Sequence, residues 1–310
     1  MKRFLLAYVL LFITAGLKAQ QQPQYTMYMA NNFVLNPAVA GIENYTDVKL
    51  SYRAQWVGIE DAPVTAYATI HGLIAADLEG RRHGLGGAIV LDKTGPTQRF
   101  SGTVAYGFHL PVSKNLTTAF GVSAGIMEYS LNTDALELGN PNDVILTKGN
   151  YSQMLPSVNA GIWLYSPDFF IGAAAQNLIE SKLTFNSYTA SEESRLYRHY
   201  FLTGGYRFAV SETLTATPSL MLKIVQPVPV SFDINFKMMY RDRFWAGLSY
   251  RKRDGFAAMA GINISPLINV SYAYDYVTSD LQDYTSGSHE IILGILLNNE
   301  EGALCPTNVW

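Results

Sequence analysis

The side chains most able to do chemistry are few and scattered. Five histidines, His71, His83, His109, His199 and His289, stand far apart. None falls in the H-E-x-x-H spacing that sets two imidazoles on one helix face to hold zinc. No G-x-S-x-G elbow presents a nucleophilic serine. The stretch "GLGGAIV" at 84–90 is rich in glycine, but it lacks the lysine and the following helix of a phosphate loop, and its glycines suit strand positions of small bulk. The single cysteine, Cys305, cannot form an internal disulfide. Catalytic residues, metal ligands and cofactor-binding residues are therefore all expected to be none, and an enzyme is not expected. A hydrolase stays a fold-level alternative without a supporting constellation.

The polar residues that do stand out sit opposite apolar ones. In "VKLSYRAQW", Val48, Leu50, Tyr52, Ala54 and Trp56 alternate with Lys49, Ser51, Arg53 and Gln55. In "VSFDINFKM", Val230, Phe232, Ile234, Phe236 and Met238 oppose Ser231, Asp233, Asn235 and Lys237. In "INVSYAYDY", Asp275 shares a face with Asn269, Ser271 and Ala273. A period of two puts such sets on the two faces of a strand. The polar set Lys49, Arg53, Gln55, Arg207, Asp233, Asn235, Lys237 and Asp275 is expected to face a lumen. There it either forms a satisfied network that holds the wall and a plug, which is the preferred reading, or lines a solute path.

The elements that must position these residues are strands nearly everywhere after residue 45. Fourteen are expected, about ten residues or longer, from 45–56, 63–75, 83–92 and 98–110 through 115–130, 157–166 and 168–176 to 287–297. That length crosses a bilayer at a tilt. Charged residues make up only 15% of the 310, and tyrosine is abundant at 20 copies. Trp56, Tyr129, Trp163, Tyr165, Tyr240, Trp245, Tyr274 and Tyr276 fall near strand ends, where a lipid-facing barrel gathers aromatic rings, and Trp56 is expected at the outer headgroup level. The reading is an all-β fold, a transmembrane antiparallel barrel of about 14 strands. An open sheet edge in lipid is too costly, so the sheet must close.

Connections sort by parity. The even ones are short, as at 111–115, 166–167, 211–213, 241–242 and 265–266, with "AADLEGRR" at 75–82 the long exception. The three longest, 131–156, 177–196 and 278–286, are all odd. Short turns belong to the periplasmic rim of such barrels, so both termini are expected to be periplasmic.

Residues 1–19 read as a signal peptide. Lys2 and Arg3 precede the apolar run "FLLAYVLLFITAGL", with cleavage near Ala19. Removing Lys2, Arg3 and Lys18 leaves 19 basic against 25 acidic residues, a net charge of −6. The longest basic run is Arg251-Lys252-Arg253, so nucleic acid is not an expected partner. Residues 20–44, "QQQPQYTMYMANNFVLNPAVAGIEN", are too irregular for a strand and too apolar for a solvated leader. They are expected to pack into or under the barrel, as a periplasmic or plug segment. The barrel then occupies 45–297, with a periplasmic tail at 298–310.

Three motifs give the chain a family resemblance. The first is "QPQYTMYMANNFVLNPAVAG", with Gln24, Tyr28, Asn32, Asn36, Pro37, Ala38 and Gly41. The second is "YRAQWVGIEDAP", with Tyr52, Arg53, Gln55, Trp56, Gly58 and Pro63, and the third is the tail "CPTNVW", with Cys305 and Pro306. The chain resembles the PorP/SprF family of outer-membrane proteins of the type IX secretion system. That resemblance implies a role in moving proteins to the cell surface. Its implied partners are outer-membrane lipid, periplasmic components of the secretion system, and a secreted surface protein with a C-terminal sorting domain, such as a gliding-type adhesin. The expected function is that of an accessory or cargo-specific partner. The alternative is a passive porin or a transporter of hydrophobic solutes.

Overall fold

Alternating sequence becomes alternating burial along most of the chain. In the computed structural model, which describes residues 22–135, 149–183, 195–226 and 228–299, fifteen strands form one sheet. They are β1 (Thr46–Ala54), β2 (Val64–Ala76), β3 (Arg82–Thr94), β4 (Thr97–Ser113), β5 (Leu116–Asn132), β6 (Asn150–Tyr165), β7 (Phe169–Gln176), β8 (His199–Tyr206), β9 (Phe208–Ser211), β10 (Leu214–Val225), β11 (Val228–Tyr240), β12 (Phe244–Arg251), β13 (Gly255–Asn263), β14 (Ile268–Val277) and β15 (Ser288–Leu297). β8 and β9 both pair with β10 and are two parts of one stave broken at Arg207. The fourteen staves pair antiparallel with their sequence neighbours, and β15 pairs with β1, from Thr46↔Leu297 to Ala54↔His289. The sheet is a closed barrel without an edge, as a bilayer requires. The expected signal segment 1–19, part of the 131–156 connection, and Cys305 and Pro306 lie outside the described residues.

Two differences from the expected strands have physical reasons. β6 begins at Asn150 rather than 157, pairing Asn132↔Asn150 through Ser123↔Asn159 with β5. The outward residues there include Ser152 and Pro156, so that stretch carries no lipid-type pattern. β1 ends at Ala54, and Trp56 takes a left-handed φ of 51° in the turn that follows. Trp56 therefore leaves the alternation, half-buried, instead of extending the lipid face.

The even connections, at 77–81, 114–115, 166–168, 212–213, 241–243 and 264–267, form a short-turn rim. The odd ones, including 55–63, 133–149, 177–198 and 278–287, form the long-loop rim. Several aromatic residues turn the other way from a membrane girdle. Trp163, Tyr165 and Trp245 are 1%, 4% and 8% exposed and lie inside the barrel. Around Trp163 both faces of β6 are apolar, so the pattern carries no parity there. Tyr240 and Tyr276 do face outward as expected, joined by Tyr52, Tyr206, Phe208, Phe244, Tyr250, Phe256 and Tyr272.

Candidate functional site

The lumen is filled by the chain's own residues 22–45. Three 3-10 turns, Tyr28–Ala30, Asn32–Val34 and Pro37–Val39, fold this segment without regular backbone pairing. Local bonds such as Ala30 N to the Met27 carbonyl (2.9 Å) and Leu35 N to the Asn32 carbonyl (3.1 Å) satisfy part of its backbone, and the wall takes up more. Gln176 Nε2 donates to the carbonyls of Val34 (3.1 Å) and Leu35 (3.0 Å). Asn31 Nδ2 donates to Thr69 Oγ1 at 3.0 Å, and Arg82 Nη2 donates to the carbonyls of Gly41 and Glu43 at 3.2 and 2.8 Å. His109 Nε2 lies 2.8 Å from the Ala40 carbonyl, and Nδ1 lies 3.1 Å from the Tyr165 hydroxyl. Since a carbonyl only accepts, Nε2 carries the proton and Nδ1 accepts from Tyr165.

At the short-turn end the segment lies on a shelf of glycines. Gly84, Gly107, Gly121 and Gly161 are cross-strand partners in sequence across β3, β4, β5 and β6. The motif Asn36-Pro37-Ala38-Val39-Ala40-Gly41 runs along them. A Cβ at Gly84 would stand 1.9 Å from the Ala40 carbonyl oxygen, one at Gly121 would stand 2.1 Å from the Ala38 nitrogen, and one at Gly161 would stand 1.9 Å from Asn36 Oδ1. No side chain fits between wall and plug at these points. Asn36 closes the contact: Nδ2 donates to the carbonyls of Ile162 (3.1 Å) and Ala173 (3.2 Å), while Oδ1 accepts from Ala38 N (3.0 Å). Gly41 takes φ 76°, open to glycine without strain, and a Cβ there would meet Gly84 Cα at 2.4 Å. Asn32 is also buried.

Beside the shelf the packing changes character. Met27 and Met29 of the plug meet Met221, Met239 and Met259 of the wall in one apolar cluster with Tyr25, Tyr28, Tyr67 and Trp245. Methionine fills irregular gaps of this kind. Asn235 Nδ2 donates to the Tyr28 hydroxyl at 2.7 Å. Burial raises Tyr25 and Tyr28 well above the ordinary tyrosine value, so both remain neutral phenols.

An ionic cluster then holds the start of the segment. Arg53, 2% exposed, reaches Asp275 Oδ2 at 2.6 Å and Glu290 Oε2 at 3.2 Å. Thr26 is threaded into this pair. Its nitrogen donates to Glu290 Oε2 (2.7 Å), its hydroxyl donates to Asp275 Oδ2 (2.7 Å), and that hydroxyl accepts from Arg53 Nη1 (2.7 Å). Beside it, Arg251 binds Asp233 (3.0 Å) and Asp254 (3.1 Å) and donates to Gln24 Oε1 (3.4 Å) and the Tyr25 carbonyl (3.2 Å). Cavities of about 10 and 20 Å³ beside these groups leave room for roughly one water each.

The expected lumen residues are thus mostly brought together, though by position and not as one site. Arg53, Asp233 and Asp275 belong to the ionic cluster, and Asn235 to the plug contact. Lys49 pairs with Asp47 at 2.7 Å, and Lys237 lies 5.1 Å from the centre of the Trp245 ring. Arg207 is a correction. It stands at the break between β8 and β9, on the short-turn rim, 3.7 Å from Asp242 of the next turn but one. The second motif divides by face. Tyr52 is 52% exposed on the lipid side, while Gln55 is buried and its nitrogen donates to the Pro63 carbonyl at 2.9 Å. Trp56, Gly58 (φ 105°) and Pro63 shape the β1–β2 loop, which locks to the β14–β15 loop through Val57 N to Gly287 O (2.8 Å) and Ser286 N to Val57 O (2.7 Å). Sequence reading missed Glu290, Arg251, Thr26 and the glycine shelf. Glu290 carried a signal, as the lone acid on the inward face of "SHEIILGILL".

On the outer wall an apolar groove of about 580 Å³ crosses β4 to β8, bordered by Tyr106, Phe120, Val122, Ile162, Tyr200 and Leu202. No helix among the described residues is long and apolar enough to cross a membrane.

A family model described as type IX secretion system membrane protein PorP/SprF matches residues 17–295. Among solved structures, the toluene transporter TbuX of Ralstonia pickettii is similar at a TM-score of 0.52 and 11% identity, over 87% of this chain and 92% of that one. The toluene transporter TodX of P. putida is similar at 0.50 and 10% identity, over 86% and 92%. At such identities the likeness is one of fold. No curated protein matches.

Proposed function

The chain belongs to the PorP/SprF family of type IX secretion system membrane proteins, and from that premise we propose that it is a plugged outer-membrane barrel acting as an accessory or cargo-specific partner in secretion. It works by binding and not by catalysis. The short-turn rim faces the periplasmic machinery, and the long loops meet a secreted surface protein with a C-terminal sorting domain, of the kind displayed for gliding. The observation that supports this most is the filled lumen. Met27, Ala38 and Ala40 are 0% exposed and Tyr28 is 1% exposed inside the barrel, so the wall carries a fixed core in place of a water path.

Affinity purification from outer membranes in mild detergent is expected to recover a secretion-system subunit or one large surface protein. Gene deletion is expected to strand that surface protein inside the cell. Normal display in the deletion strain would sink the reading. In planar bilayers the intact protein is expected to pass no large steady current, whereas a variant lacking residues 22–44 does.

A second reading, passage of small apolar solutes, has the outer-wall groove in its favour, together with a fold shared with two toluene transporters. Uptake of an apolar solute by vesicles carrying the intact protein would favour it.

A further inference from the structure

On one flank of the barrel, cations lie over outward aromatic rings at both ends of the apolar band. At the short-turn end the Arg241 guanidinium is 5.1 Å from the centre of the Tyr240 ring, and that of Arg243 is 5.9 Å from Phe244. At the long-loop end Lys252 Nζ is 5.5 Å from the Phe232 ring. Between Phe232 and Tyr240, β11 turns Ile234, Phe236 and Met238 outward. Eight residues of strand span about 26 Å, or about 20 Å of depth at a barrel's usual tilt. That is close to the height of an outer-membrane apolar band. The rings therefore mark two headgroup levels, and Arg241 and Arg243 occupy one of them.

The turn that presents this pair is strained. Arg241 and Asp242 take φ 51° and 52°, the left-handed region that a two-residue hairpin turn normally gives to Asn-Gly. Asp242, between the two arginines, is drawn to Arg207 at 3.7 Å, and its carbonyl accepts from Asn263 Nδ2 at 2.7 Å. Among the described residues neither Arg241 nor Arg243 has a carboxylate within ion-pair distance, and both are exposed. Two guanidinium forks presented by one turn, without carboxylates in ion-pair reach and each over an aromatic ring at the membrane interface, complement the oxygens of a phosphodiester.

We propose that the Arg241–Arg243 turn is a binding site for the headgroup of an anionic phospholipid. The two guanidinium groups hold the phosphate, and the acyl chains lie along Tyr240, Phe244 and Ile262. Asp242 is held away from the phosphate by Arg207.

The test uses the full chain in nanodiscs of phosphatidylcholine with a minority of phosphatidylglycerol, reading the ratio of the two lipids retained by the purified protein. The wild type is expected to enrich phosphatidylglycerol. Arg241→Gln with Arg243→Gln is expected to lower that enrichment by about fivefold for each arginine removed. Lys114→Gln, another cation of the same rim, is expected to leave it unchanged. Heat-dependent gel mobility reports whether each variant keeps its barrel. Equal enrichment in the double variant overturns the site. A wild type with no preference overturns it without any variant. Loss of enrichment in millimolar inorganic phosphate shows a free-anion site and overturns the lipid assignment.

Discussion

Arg53 links the plug to two strands of the wall within the ionic cluster. Its guanidinium reaches both Asp275 and Glu290, and Thr26 of the plug, bonded to all three, closes the triangle. Removing a partner from a buried pair leaves the other charge unpaired, a loss of about 3–5 kcal/mol. Arg53→Ala is therefore expected to lower the barrel's unfolding free energy, read from urea titration in detergent, by about 3–5 kcal/mol. It should also expose the segment before Met27 to protease, because Thr26 loses one of its three contacts. Unchanged stability would show that the two carboxylates are held otherwise. Its place on an inward polar face was legible from the alternation with Tyr52 and Ala54. Its partners were not, because Asp275 and Glu290 lie more than two hundred residues away and only barrel closure brings β15 and β14 beside β1.

At the scale of elements, the plug and the glycine shelf define each other. The motif Asn36 to Gly41 contains the 3-10 turn Pro37–Val39, capped by Asn36. Its reason for being there is the bare backbone of β3 to β6 behind it. Gly161→Val and Gly121→Val keep strand propensity, since valine suits a pleated surface. They nevertheless place atoms where Asn36 Oδ1 and Ala38 N already stand. Each is expected to yield a closed barrel by circular dichroism and heat-dependent mobility, with residues 22–41 cleaved by protease and current through bilayers raised. A protease-resistant plug in both variants would mean that the shelf is not what seats it. Gly107 and Gly121 both sit at inward positions of their strands. That they lie side by side could not be read, because alternation fixes which face a residue takes while the exact cross-strand pairing also depends on turn geometry.

The whole molecule has a direction that its strands alone lack. The plug begins at the long-loop rim, where Gln24 meets Arg251, and ends at the short-turn rim, where Arg82 holds Glu43. It then enters β1. Gln22 and the end of β15 thus lie at opposite rims, which corrects the expectation of both ends on the periplasmic side: the lumen segment runs through the barrel and starts at the long-loop rim. In a Cys305→Ser background, a membrane-impermeant thiol reagent should label Gln22→Cys with the same sidedness as Tyr284→Cys on the β14–β15 loop. Lys114→Cys should label from the other side. Agreement of Gln22→Cys with Lys114→Cys would contradict a plug that runs the length of the lumen.

Alternation of oily and polar residues, strand length and the parity of the connections determined the barrel and its fourteen staves from sequence alone. Each of these is a local property, and lipid leaves a closed antiparallel sheet as the way to satisfy the backbone. Tertiary structure decided which inward groups meet, that Trp163, Tyr165 and Trp245 turn inside, and that Arg207 belongs to a rim. Those outcomes depend on register and closure, which place residues from distant staves at one height and let a short irregular segment fill the space they enclose.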